Sequence, residues 1–175
     1  MKRMLLAAAV VISLAPAALA QRINFQLPQS LADRATESVD VTLDGPMLRL
    51  ASRFLSNEPD ERAVKDMVAK LEGIYVKSYE FDAAYVYDRA AIENVRAQLG
   101  PTWKKLVQVQ SRTKENVDIY ADMRGDAVVG LVIVAAEPHE LTFVNIVGPI
   151  DLERLASLEG EFGIPRISKK NEAKR

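Results

Sequence analysis

The chain has 175 residues, 23 basic and 24 acidic side chains, one histidine and no cysteine, and 49% of it is hydrophobic. That suffices for one domain with a packed core and excludes wholesale disorder. The missing cysteines exclude disulfides, thiolate metal sites and cysteine nucleophiles; the near-zero net charge argues against a nucleic-acid binder.

Lys2 and Arg3 precede an uncharged apolar run over 4–14, Pro16 breaks it, and Ala18-Leu19-Ala20 places small residues before a cut at Gln21. This is the pattern of a cleaved secretory signal peptide over 1–20. The apolar run falls short of the roughly 20 residues a bilayer-spanning helix needs. No cysteine follows it, which excludes lipid attachment, and no later segment is long and apolar enough to span a membrane. The expected destination is the bacterial periplasm, with release to the medium as the alternative.

Residues 21–37 read as a weakly patterned lead-in with Phe25, Leu27 and Leu31 as docking points. A single α+β domain is expected over 38–165. It opens on a strand at 38–43, where Val39, Val41 and Leu43 alternate with Asp40 and Thr42. Asp44-Gly45-Pro46 starts a helix with Met47, Leu50, Ala51 and Phe54 on one face. A second helix after Pro59 carries Val64, Met67, Val68 and Leu71, with Gly73 expected as its left-handed stop. A tyrosine-rich strand follows over 74–81. Asp88 then caps a helix bearing Ile92, Val95 and Leu99, which ends at Gly100-Pro101.

Beyond this point the rhythm changes. Residues 103–112, 116–123, 127–136 and 140–147 are strand-like runs with short polar turns, which predicts an antiparallel meander. The run over 128–134 is apolar on both faces apart from Gly130, as in a central strand. A last short helix carries Leu152, Leu155 and Leu158, and 166–175 forms a disordered basic tail with Arg166, Lys169, Lys170, Lys174 and Arg175. The order predicts a two-layer sandwich, a mostly antiparallel sheet with helices packed on one face. The opposite face would be polar and rich in tyrosine.

No chemical motif stands out. His139, in Glu137-Pro138-His139-Glu140, reads as an exposed turn residue, and no nucleophile elbow, metalloprotease or phosphate-loop pattern occurs. Asp118 and Asp122 share a strand face about 13 Å apart, too far to hold one ion. Arg124-Gly125-Asp126 fits a hairpin turn, and Trp103 fits core packing. No cofactor or metal is expected. Tyr75, Tyr79, Gln108, Gln110, Asp118 and Tyr120 remain as an aromatic-polar surface of the kind enriched at interfaces, with Tyr85 and Tyr87 close by.

Val39-Asp40-Val41-Thr42-Leu43 with its following helix, Gly73-Ile74-Tyr75-Val76, Asn116-Val117-Asp118-Ile119-Tyr120 and the passage from Val144 to Leu152 resemble a family known as domain of unknown function 4252. The likeness runs from Leu31 to Pro165. It implies an exported or lipid-anchored bacterial envelope protein without assigned activity, and this chain departs from the lipidated members in lacking the cysteine. The family brings no catalytic residues. The sequence therefore points to a non-catalytic, soluble periplasmic module that binds an envelope protein partner through the six-residue surface. The alternatives are a self-associating structural protein or a small hydrolase with carboxylates near His139. The tail would add at most a weak contact with anionic surfaces.

Overall fold

The computed structural model describes residues 22–152, apart from 26, 57, 85, 86, 88, 113 and 114, and gives only the backbone of 59 and 60. The leader, the Asp88 cap, Tyr85, Leu155, Leu158 and the basic tail lie outside the described residues. In chain order the elements are α1 (Gln29–Arg34), β1 (Glu37–Asp44), α2 (Gly45–Ser52), α3 (Pro59–Val68), β2 (Gly73–Glu80), α4 (Arg89–Ala97), β3 (Trp103–Val109), β4 (Asn116–Arg124), β5 (Ala127–Ala136) and β6 (Glu140–Ile150). The strands pair antiparallel throughout in the order β1-β2-β6-β5-β4-β3. The expected meander is present, and β6 returns beside β2 to join it to the N-terminal hairpin. This is an α+β fold.

Strand alternation assigns two faces. Tyr79, Leu141, Phe143, Val134, Val132 and Tyr120 meet across the register on one of them and form a core with Leu31 of α1 and Ala91 and Val95 of α4. Ile74, Ile146, Leu131 and Ala121 lie on the other, in a second core with Leu48 of α2 and Val68 of α3. The helices are thus divided between both faces rather than gathered on one. This corrects the expected sandwich. The polar, tyrosine-bearing face is not open: α1, α4 and an N-terminal strap cover it. Ile23 and Phe25 of that strap are buried; the Ile23 N–H donates to Asn145 Oδ1 at 2.9 Å, and the Phe25 and Phe143 ring centroids lie 5.6 Å apart.

Two local expectations are corrected. Asp44 caps α2 by accepting from the Met47 N–H at 2.9 Å, but Gly45, Leu48 and Ser52 face inward. Met47, Leu50 and Phe54 lie outside, Phe54 at 84% exposure. The helix begins directly at the end of β1, with Gly45 buried beside the Leu71 and Glu72 carbonyls. Gly73 is not a helix stop. Ala69 ends α3 in right-handed geometry and Gly73 opens β2.

Among the described residues the glycines with positive φ are Gly125, in the Gly125-Asp126 turn between β4 and β5, and Gly148, in β6. Gly148 has φ +128°, and a Cβ there would stand 2.9 Å from Leu71 Cα and Glu72 N. Those are backbone atoms held in place by the Glu72 N–H donating to the Val147 carbonyl at 2.8 Å. Gly148→Ala should therefore cost at least about 1–3 kcal/mol from backbone strain alone, read as a lower urea midpoint than that of Gly125→Ala, which meets no neighbour.

Candidate functional site

A cleft of about 550 Å³ lies between α4 and the β3–β4 end of the sheet. Arg89, Ile92, Glu93 and Arg96 of α4 form one wall, Gln108 and Val109 of β3 with Gln110, Ser111 and Arg112 the other, and Asp118, Val134 and Ala136 the floor. The Ser111 N–H donates to Asn116 Oδ1 at 2.9 Å and ties down the loop that carries Gln110 and Arg112.

Asp118 organises this corner. Its side chain is 7% exposed, a setting in which a carboxylate needs partners. Arg96 Nη2 donates to its Oδ2, Lys105 Nζ lies 3.4 Å from Oδ1, and the Tyr120 hydroxyl donates to Oδ2 at 3.5 Å. Arg96 also reaches Glu93 at 2.6 Å. Burial works against the Arg96 charge, but hydrogen bonding and attraction from Asp118 outweigh it and hold its pKa above the ordinary arginine value. Arg96 is therefore committed to structure. Arg89 and Arg112 are exposed and make no ion pair among the described residues; with Arg96 they set three cations against Glu93 and Asp118 in the cleft lining, beside the amides of Gln108 and Gln110.

The six residues expected to share one surface divide into two groups. Gln108, Gln110 and Asp118 meet in the cleft. Tyr79 and Tyr120 are core residues, and Tyr75 is half-buried with the Arg22 guanidinium 4.0 Å above its ring. The tyrosines are unavailable as a contact patch because the strap and helices occupy their face. Sequence reasoning missed the arginines. The signal was present: Arg89 and Arg96, two helical turns apart, share one face with Glu93.

The other candidates have structural roles. Asp122 is fully buried opposite Trp103, with Arg124 Nη2 3.5 Å from Oδ2 and no hydrogen-bond partner for either oxygen. Arg124-Gly125-Asp126 forms a turn, as expected. His139 is exposed and places Nδ1 3.1 Å from the Phe81 carbonyl, and the cleft does not border it. Among the described residues no group of three histidine or carboxylate side chains is placed to hold a metal, and no helix is long and apolar enough to cross a membrane.

Six antiparallel strands, helices on both faces and one arginine-lined corner cleft define an α+β protein with a charged groove. Residues 33–158 match the domain of unknown function DUF4252, and the chain belongs to that family. No curated protein and no solved structure matches it.

Two predictions follow from these charges. Arg96→Met leaves the buried Asp118 with only Lys105 and the long hydrogen bond from Tyr120, and should cost about 2–4 kcal/mol in urea unfolding, more than Lys105→Met. Desolvation, then repulsion from Glu115 and Glu140, raises the Glu137 pKa above the ordinary glutamate value. Its folded-state carboxyl thus holds a proton more readily than its unfolded one, and stability is lost as pH rises through that window. Glu137→Gln should raise the melting temperature at pH 7, and the gain should disappear below the ordinary glutamate pKa.

Proposed function

We propose that the protein is a non-catalytic binding module of the bacterial cell envelope, exported to the periplasm by its N-terminal leader. In this reading the cleft between α4 and β3 receives an acidic segment of an envelope protein. The observation that carries it is the pair Arg89 and Arg112, exposed and without an ion-pair partner among the described residues, beside a groove of about 550 Å³ in a chain whose overall charge is −1. A chain that is slightly acidic overall gains no general attraction for anions, so any preference for them rests on this local cluster. Arginine forks and glutamine amides suit carboxylates and the backbone of an extended peptide. Ile92, Val109, Val134 and Ala136 add an apolar lining for its side chains. The Arg96–Asp118 pair keeps the two walls in register, so the groove is formed before a partner arrives and less ordering is required on binding.

The test is fluorescence anisotropy with a labelled glutamate-rich decapeptide against its glutamine counterpart. The acidic peptide should bind preferentially, weaken with salt, and lose about tenfold in affinity on Arg89→Glu/Arg112→Glu. Lys169→Glu/Lys170→Glu should leave binding intact. Loss of binding in the tail variant, or no preference for the acidic peptide, refutes this assignment.

A further inference from the structure

On the sheet face opposite the strap, Leu48 of α2 and Val68 of α3 pack with Ile74, Ile146 and Leu131. The next row along, Val41, Val76, Val144, Ile133, Ile119 and Val107, crosses all six strands, and of it only Ile119 touches the core beneath those helices. On β1, β2 and β6 the same face continues through Val39, Ser78 and Thr142 to Glu37, Glu80 and Glu140. These three strands present no basic side chain on this face. Their three glutamates are exposed and make no ion pair among the described residues. The Ser78 and Thr142 hydroxyls both donate to Glu140 Oε1 at 2.7 Å, so that carboxylate lies over the strands. The result is a valine surface bounded by acids.

The complementary surface belongs to the same chain. Gly45, Leu48 and Ser52 take the inward side of α2, and its outer side exposes Met47, Leu50 and, in the turn that continues it, Phe54. Arg49 and Arg53 flank this stripe, exposed and without an ion-pair partner among the described residues, and no acidic residue lies between Gly45 and Phe54. An apolar stripe on a basic helix matches, in shape and in sign of charge, an apolar surface with an acidic border. The dimensions agree as well. Met47 to Phe54 is about 10 Å along the helix, and β1, β2 and β6 together span about 10 Å. A helix about 10 Å across covers two same-face rows about 7 Å apart, which brings arginines on its flank to the glutamate row.

We propose that two copies of the chain pair about a two-fold axis, each laying the Met47–Leu50–Phe54 stripe of α2 on the Val41–Val76–Val144 surface of the other, with Arg49 and Arg53 opposite Glu37, Glu80 and Glu140. Stripe and receiving surface lie on the same side of the sheet, so each copy gives and receives at once and the assembly closes at two. The cleft lies beside α4, on the other face, and takes no part.

The test is sedimentation equilibrium of the mature chain, residues 21–175, at high micromolar concentration. The unaltered chain should be a dimer, and Leu50→Asp/Phe54→Asp should leave monomers with an unchanged circular dichroism spectrum, since both side chains are exposed. Arg49→Glu/Arg53→Glu and Glu37→Lys/Glu80→Lys should each weaken pairing by about tenfold, and all four changes in one chain should restore it. A monomeric unaltered chain, as when a further stretch of the same chain or another protein covers the face, overturns the proposal. So does a dimer that survives Leu50→Asp/Phe54→Asp, growth beyond two copies, or a combined charge swap that restores nothing.

Discussion

A carboxylate held out of water must be neutralised by groups that come to it, and Asp118 imposes that condition on one corner of the molecule. It lies inside the sheet and cannot turn to solvent. Arg96 must therefore approach from α4 and Lys105 from β3. This fixes the height and rotation of α4 above the strands. It also spaces Arg89, two turns before Arg96, from the loop that carries Arg112. The groove between them lies beside the ion pair, on the flank of α4 away from the apolar contact that Ala91 and Val95 make with the core.

The two faces are built differently. On the strap side, buried polar groups specify the arrangement: Asn145 receives the Ile23 N–H and donates to the Leu131 carbonyl at 3.2 Å, so one side chain orients the strap against the sheet. On the other side, aliphatic packing beneath α2 and α3 is nearly free of such constraints. Polar contacts are directional and set register, whereas branched aliphatic surfaces accept several partners. The strap side is suited to precise positioning. The opposite side is suited to coverage.

The strand content was legible because hairpin-length turns punctuate period-two runs, and β3 to β6 required only local information. Which face would be open was not legible. Alternation in β4 separates Val117, Ile119 and Ala121 from Asp118, Tyr120 and Asp122, but it carries no information about which set the helices cover. Burial of the polar set depends on a strap contact 122 residues away in sequence, Ile23 with Asn145. The α2 stripe misled for a related reason: Met47, Leu50 and Phe54 have the right spacing, yet the direct junction with β1 turns Leu48 inward. At the site, the glutamines and Asp118 were found because they lie on strands with a readable pattern. The arginines were overlooked because charged residues on a short helix ordinarily face solvent.

The position of β6 has a consequence for how the chain folds. β1 and β2 are made early and pair with each other, but the inner edge of β2 meets its other neighbour only when residues 140–150 arrive. The meander from β3 to β6 can form from contacts close in sequence, whereas its junction with the first hairpin closes a long loop and is correspondingly slow. Until then β2 presents unpaired backbone groups and a tyrosine-rich flank, the kind of edge that recruits a wrong strand. A chain emerging N-terminus first is most vulnerable to misassembly in the interval between completing β2 and releasing β6. Slowed release of its last third should therefore harm its yield more than a comparable loss of equilibrium stability.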